Sequence, residues 1–370
     1  MTLFDGITAR LIDTPRLTVN ILERAGDDAA TPPERTVVLI HGNGSSSLFW
    51  QEVMEDLPRD LRAIAIDLRG YGGTEHSPVD ATRGVRDFSD DVHATLAALG
   101  LPTAHFVGWS LGGGVIMQYA LDHPTLSLTL VSPVSPYGFG GTRRDGSRLT
   151  DDDAGCGGGA GNPDFVERLT AHDTSDEAPT SPRNVFRSGY VAPGYTTDHE
   201  DVWVESILST STATGNYPGD SVHSDSWPGF GAGTVGVLNS IVPKYFNTSG
   251  IADIEPKPPI LWVHGTLDPI VSDTSFYDFN HLGALGIVPG WPGEEVAPAQ
   301  PMVSQTRDVL DRYREKGGEV TELALEGVGH SAFLERPAEF RHAVLQVIGY
   351  VGHPAEPAPA TEAIIIRSAD

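Results

Sequence analysis

Residues 105–124 read HFVGWSLGGGVIMQYALDHP: a short apolar run, a serine set between glycines, then a helical pattern stopped by Pro124. Gly108-Trp109-Ser110-Leu111-Gly112 fits G-x-S-x-G in the context that motif requires, after a strand and before a helix. The turn is so sharp that glycine is needed on either side, and the serine Oγ projects at the carboxyl end of the strand. At a helix N-terminus, backbone N–H groups also point toward developing negative charge. Five-residue matches arise by chance in chains rich in Gly and Ser, so the flanking strand and helix carry the weight.

Working outward, apolar runs alternate with helical patterns on both sides of this turn. TVVLI (36–40) ends in HGNGSSS, RAIAI (62–66) in a Gly-rich turn, and LSLTLVSP adds a further strand, with helices expected over SLFWQEVMEDL and VRDFSDDVHATLAALG. Strands separated by helices imply right-handed crossovers and a mainly parallel sheet covered on both faces. The N-terminal segment supplies two more short strands. From about 134 to 258 the alternation gives way to Gly, Pro, Ser, Asp and Thr, which reads as an inserted cap carrying helices at NPDFVERLTAH, DVWVESILST and TVGVLNSIVPKYF. Its DDDAGCGGGAG stretch is expected to be mobile. Alternation resumes over 259–352 with PPILWVHG, TRDVLDRYREKGG, EVTELALEG and RPAEFRHAVLQVIGYVG, interrupted by a long aromatic excursion after Asp268 that is expected to wall a pocket. Residues 353–370 read as a flexible extension or an added edge strand, in this chain or, in a homodimer, in a neighbouring copy.

A serine hydroxyl needs a base to become a nucleophile. Of the 13 histidines, His330 is placed for that role, on the loop after the last strand and before the terminal helix. An imidazole in turn needs an anion to hold its tautomer. Asp268, just after ILWV, meets that need, with Asp273 as the competitor. The order Ser110, Asp268, His330 is the one expected when the nucleophile sits on such a strand-to-helix turn. The loop His41-Gly42-Asn43-Gly44 lies at the same sheet end, so the N–H groups of Asn43 and Leu111 are candidates for an oxyanion hole. His41 is expected to brace that loop through hydrogen bonds.

The set HGNGSSS (41–47), DLRGYGGTE (67–75), GWSLGGG (108–114), HGTLDPIV (264–271) and GVGHSAFLERP (327–337) resembles the α/β-hydrolase superfamily over roughly residues 1–133 and 259–352. The resemblance implies an eight-stranded, mostly parallel sheet with the cap inserted after the sixth strand. It also implies Ser110 as nucleophile, His330 as base, Asp268 as acid, and Asn43 and Leu111 as oxyanion donors. HGNG is similar to the halide-holding loop of haloalkane dehalogenases. Those enzymes attack with aspartate at the elbow, and serine here disfavours that route.

Composition narrows the partners. With a net charge of −26, the chain repels nucleic acid and anionic membranes, because binding phosphates takes Lys and Arg. No run of about 18 apolar residues is present to span a bilayer. The first residues lack the basic start and apolar block of a signal peptide, so a cytoplasmic location is expected. Cys156 is the only cysteine and reads as incidental. His199-Glu200-Asp201 and His223-x-Asp225 lack ligand spacing on a clear helix face, so no metal is expected. No nucleotide-binding loop appears and no cofactor is implied.

The chemistry expected is acyl transfer on a small hydrophobic ester or lactone. Carbon–carbon bond hydrolysis of ring-cleavage products and cofactor-free perhydrolysis use the same groups, and a non-catalytic ligand receptor on the same fold is the alternative from another class. Trp203, Tyr217, Trp227 and Phe230 in the insertion, with Trp50, Trp109 and Phe333 near the catalytic loops, are the expected pocket aromatics.

Overall fold

The computed structural model describes residues 1–26 and 32–351, together with the backbone of 364–366. β1 (Thr8–Asp13) and β2 (Thr18–Arg24) pair antiparallel at one edge. β3 (Thr36–Ile40), β4 (Arg62–Ile66), β5 (His105–Trp109) and β6 (Ser127–Val131) follow. β3, β5 and β6 are buried at every residue, as expected of strands covered on both faces. β7 (Ser221–His223) and β8 (Phe230–Ala232) form a separate two-stranded antiparallel sheet. β9 (Ile260–Gly265), β10 (Val320–Leu325) and β11 (Ile364–Ile366) complete the strands.

The main sheet runs β1-β2-β4-β3-β5-β6-β9-β10-β11. Every pairing from β4 to β10 is parallel. Its first eight strands are the expected α/β-hydrolase sheet, with the long insertion after the sixth. The ninth, β11, pairs antiparallel with β10 in the register Ala324↔Ile364. Of the two readings of the tail, this backbone takes the edge-strand one within its own chain; the remainder of 353–370 lies outside the described residues.

Helices cover both faces. α1 (Gln51–Asp56), α2 (Arg86–Ala98) and α3 (Leu111–Asp122) follow β3, β4 and β5. The segment between β6 and β9 holds α4 (Pro163–Thr170), α5 (Pro182–Val185) running into a π-turn over Phe186–Tyr190, α6 (Glu200–Leu208) and the short α7 (Val237–Ser240). α8 (Phe279–Ala284) and α9 (Met302–Glu315) lie between β9 and β10, and α10 (Ala332–Glu335) and α11 (Pro337–Val347) follow β10. α1 packs with α11, while α2 packs with α3.

Two expectations for the insertion need correction. TVGVLNSIVPKYF forms only the single turn of α7, because Pro243 cuts the helical pattern short. The DDDAGCGGGAG stretch is packed, with Ala154 to Gly158 buried. Gly155 N–H donates to Phe230 C=O at 2.9 Å and Gly158 N–H to Asn239 Oδ1 at 3.0 Å, so neighbouring chain satisfies its backbone.

Candidate active site

The loops after β3, β5, β9 and β10 meet at the carboxyl ends of parallel strands, where open α/β sheets bind ligands. Ser110 sits between β5 and α3 at φ 56°, ψ −116°, a region that side chains other than glycine rarely occupy. Its carbonyl accepts from the N–H groups of Gly113, Gly114 and Val134, and its own N–H donates to Val131 C=O at 2.9 Å. The glycines on either side are sterically compelled. A Cβ on Gly108 would strike the Gly112 carbonyl, and one on Gly112 would strike the carbonyls of Ile40 and His41. α3 therefore lies backbone to backbone against the end of β3.

His330 and Asp268 come together from different loops. The His330 Nδ1 lies 2.8 Å from Asp268 Oδ2, and both residues are buried. Asp268 Oδ1 accepts from the N–H groups of Ile270 and Val271 at 2.8 and 3.0 Å. The carboxylate thus has three donors, which fixes its orientation. Trp109 Nε1 donates to the His330 carbonyl at 2.9 Å, so the residue before the serine positions the histidine backbone. Asp273, the competing acid, is engaged elsewhere, accepting from Ser304 N and Oγ at 3.0 and 2.6 Å near the start of α9.

On the β3 side, His41 Nε2 accepts from Leu68 N–H at 3.0 Å while Nδ1 donates to Gly42 C=O at 2.7 Å. Full burial lowers its pKa, with Asp67 opposing, and the neutral ring spans the two loops. This is the bracing role expected for it. Tyr71 donates to Asn43 Oδ1 at 2.7 Å, and burial raises that phenol well above its ordinary value. Tyr190, from the insertion, donates to the carbonyls of Asn43 and Gly44 at 3.1 and 2.9 Å. A side chain on Gly44, at φ 61°, would collide with that hydroxyl. Leu111 opens α3, so its N–H has no carbonyl one turn back to bond.

The His330 loop is tied to the insertion by a buried carboxylate. Glu335 Oε1 accepts from Gly329 N–H at 2.9 Å and Oε2 from Ala192 N–H at 3.0 Å. Burial raises its pKa. A Cβ on Gly329 would strike the Val191–Ala192 peptide, so the two backbones touch directly. One short run, Tyr190 to Ala192, therefore contacts both the Asn43 loop and the His330 loop.

A cavity of about 330 Å³ is bordered by Asn43, Ser110, Leu111 and His330. Its other walls come largely from the insertion and the excursion after β9, including Phe139, Phe165, Tyr190, Tyr217, Tyr277 and Phe279. The excursion is thus a pocket wall, and Tyr217 is at the cavity as expected. The other expected pocket aromatics are not. Trp50 and Phe333 stack on each other in the core with ring centroids 4.4 Å apart. Trp109 faces the His330 backbone, and Trp203 packs in the core on Phe49. Trp227 donates to Pro289 C=O, and Phe230 packs behind Phe279. The physical reason is that Trp50, Trp109, Trp203 and Phe333 are fully buried in the core, while Trp227 and Phe230 are engaged by Pro289 and Phe279. Tyr71, Tyr190, Glu335 and Tyr277 were not singled out from sequence, although Tyr71 stands in DLRGYGGTE, Glu335 in GVGHSAFLERP and Tyr277 in the aromatic excursion after Asp268. Cys156 borders the cavity with its thiol pKa pushed well up by burial.

Of the two acid-rich segments considered as metal ligands, His199–Asp201 is occupied by arginines, while His223 Nε2 lies 3.3 Å from Asp225 Oδ1. Glu200 pairs with Arg183 and Arg187, and Asp201 with Arg183. Among the described residues no group of three or more His, Cys, Asp or Glu is placed to hold a metal, and no helix is long and apolar enough to cross a membrane.

Comparison with known proteins agrees with this fold. The family model for the alpha/beta hydrolase fold matches residues 35–299, and the chain belongs to that family. Fluoroacetate dehalogenase from a Burkholderia species is 29% identical over 140 residues, covering 36% of this chain and 44% of that protein. Monoacylglycerol lipase abhd6-A of Xenopus laevis is 35% identical over 107 residues, 26% of this chain and 30% of that protein. The chain thus spans less than half the length of these curated relatives. Among solved structures, the esterase RhEst1 from Rhodococcus sp. superposes with a TM-score of 0.55 at 20% identity, over 93% of this chain and 99% of that one. Carboxylesterase CesB from Bacillus subtilis gives 0.55 at 16% identity, over 93% of each chain.

Proposed function

We propose that the protein is a serine hydrolase that cleaves a carboxylic ester or lactone of a small hydrophobic molecule through an acyl-enzyme. The observation that carries this reading is Ser110, held at positive φ on the wall of a cavity it shares with an Asp268-oriented His330. Ser110 attacks the carbonyl while His330 Nε2 takes its proton. The N–H groups of Asn43 and Leu111 receive the oxyanion, where preorganised donors act without reorganisation. His330 then protonates the leaving alkoxide and activates water to release the acid. Segment 134–258 serves as the cap that keeps bulk water from this cycle. Serine at the elbow favours acyl transfer over the chemistry named for the dehalogenase relative, and the lipase relative acts on esters by its name.

The test is turnover of p-nitrophenyl esters and lactones beside a dienol panel for carbon–carbon hydrolysis. Multiple turnover of an ester is expected, with Ser110→Ala lowering kcat by at least about 10³-fold. Absence of fluorophosphonate labelling at Ser110 would sink the proposal, and turnover of dienols alone would replace it.

A further inference from the structure

The charge of the cavity wall bears on which acyl groups it admits. Among the described residues bordering the cavity none is Lys or Arg, and the one carboxylate is Asp278. Asp278 is 2% exposed and opens α8, with Oδ1 accepting from Asn280 N–H at 3.0 Å and Oδ2 from Gln300 N–H at 2.8 Å. Both bonds come from neutral backbone, so no lysine or arginine among the described residues neutralises this carboxylate. Burial raises its pKa, with the two backbone donors and His281 opposing. Its influence extends along the wall to the Cys156 thiol, whose pKa it helps to raise. Outside, the chain carries a net charge of −26.

A carboxylate-bearing acyl group entering this space would lose its water, find no cation, and lie near a buried acid. Desolvating an ion without a partner is costly, and like charges placed together add to that cost. An uncharged acyl group meets neither penalty, and the aromatic and aliphatic walls reward it. We infer that the site selects acyl esters that carry no negative charge, with Asp278 as the specificity-determining residue. This inference rests on the ester-hydrolase reading and deepens it.

The experiment compares two esters of matched shape and leaving group, p-nitrophenyl 6-methylheptanoate and the mono-p-nitrophenyl ester of adipic acid. Wild-type kcat/KM is expected to favour the uncharged ester by on the order of 10²-fold. Asp278→Asn should narrow that gap about tenfold, by removing the like charge. Ser188→Lys, which adds a cation at an exposed position on the cavity rim, should narrow it independently of any effect of Asp278→Asn on α8. Comparable kcat/KM for the two esters overturns the inference, as does a gap that neither variant moves. A neutral fluorophosphonate distinguishes the two levels of failure. Labelling of Ser110 without charge discrimination removes only this inference, whereas no labelling and no turnover of either ester removes the hydrolase reading beneath it.

Discussion

Asn43, the proposed oxyanion donor, illustrates how a single residue is held in place. Its side-chain oxygen takes the Tyr71 hydroxyl and its carbonyl takes that of Tyr190, so neither the side chain nor the peptide is free to turn. Tyr71→Phe removes one of these restraints without touching the reacting atoms. Because losing an oxyanion donor outright costs about 10²–10³ in kcat, loosening one indirectly should cost about tenfold. KM should change little and Ser110 labelling should persist; an unchanged kcat would show that Asn43 needs no such restraint. Asp268→Asn is expected to be far more severe, lowering kcat by on the order of 10³–10⁴ by upsetting the His330 tautomer. Steady-state kinetics read both. The difference in legibility between these residues is physical. Asp268 and His330 are marked by their positions after strands, whereas Tyr71 meets a partner 28 positions away, and no spacing along the chain encodes that contact.

At the level of elements, β9, β10 and α9 are joined through Glu322, which lies 2.9 Å from His264 Nε2 and 2.6 Å from Arg307 Nη2. Burial alone would raise this carboxyl, but the hydrogen bonds and charges of His264 and Arg307 prevail and depress it to about 2. A folded pKa below the ordinary 4.5 means stabilisation that is complete above that pH and lost as pH falls toward 2. Glu322→Gln should therefore cost roughly 1–3 kcal/mol in urea unfolding at pH 7, with the difference from wild type shrinking in acid. An equal deficit at both pH values would assign the effect to packing instead. The core elements were readable because burial on both faces writes continuous apolar runs, as in TVVLI and ILWV. The insertion was less so. PRNVFRSGY (182–190) carries no regular apolar face, yet it forms α5 and the π-turn that delivers Tyr190. The β7–β8 region is ordered by polar bonds, such as Asp220 accepting from Thr234 and Val235 N–H, and these leave no hydropathy pattern.

Across the whole molecule a net charge of −26 sets the chain against itself, since a compact fold crowds like charges together. Salt shortens the reach of such repulsion, to about 10 Å at 0.1 M, so Tm should rise by a few degrees as NaCl is increased to about 0.5 M. Calorimetry or dye-monitored melting would record it, and a falling Tm would mean that the surface ion pairs outweigh the repulsion. Composition alone made this expectation available, because it depends on a count and not on where the charges lie. The contacts of Tyr190 to Ala192 could not be anticipated in that way, and they reach beyond this one protein. Insertions of this kind are natural units to exchange between relatives when a new substrate is sought. Here the transplanted piece would carry away the tether of the Asn43 and His330 loops along with part of the pocket wall. A chimera that keeps those three positions from the recipient retains both tethers, so exchange of the pocket walls on either side, Phe139 and Phe165 before the run and Tyr217 after it, is separable from the run itself.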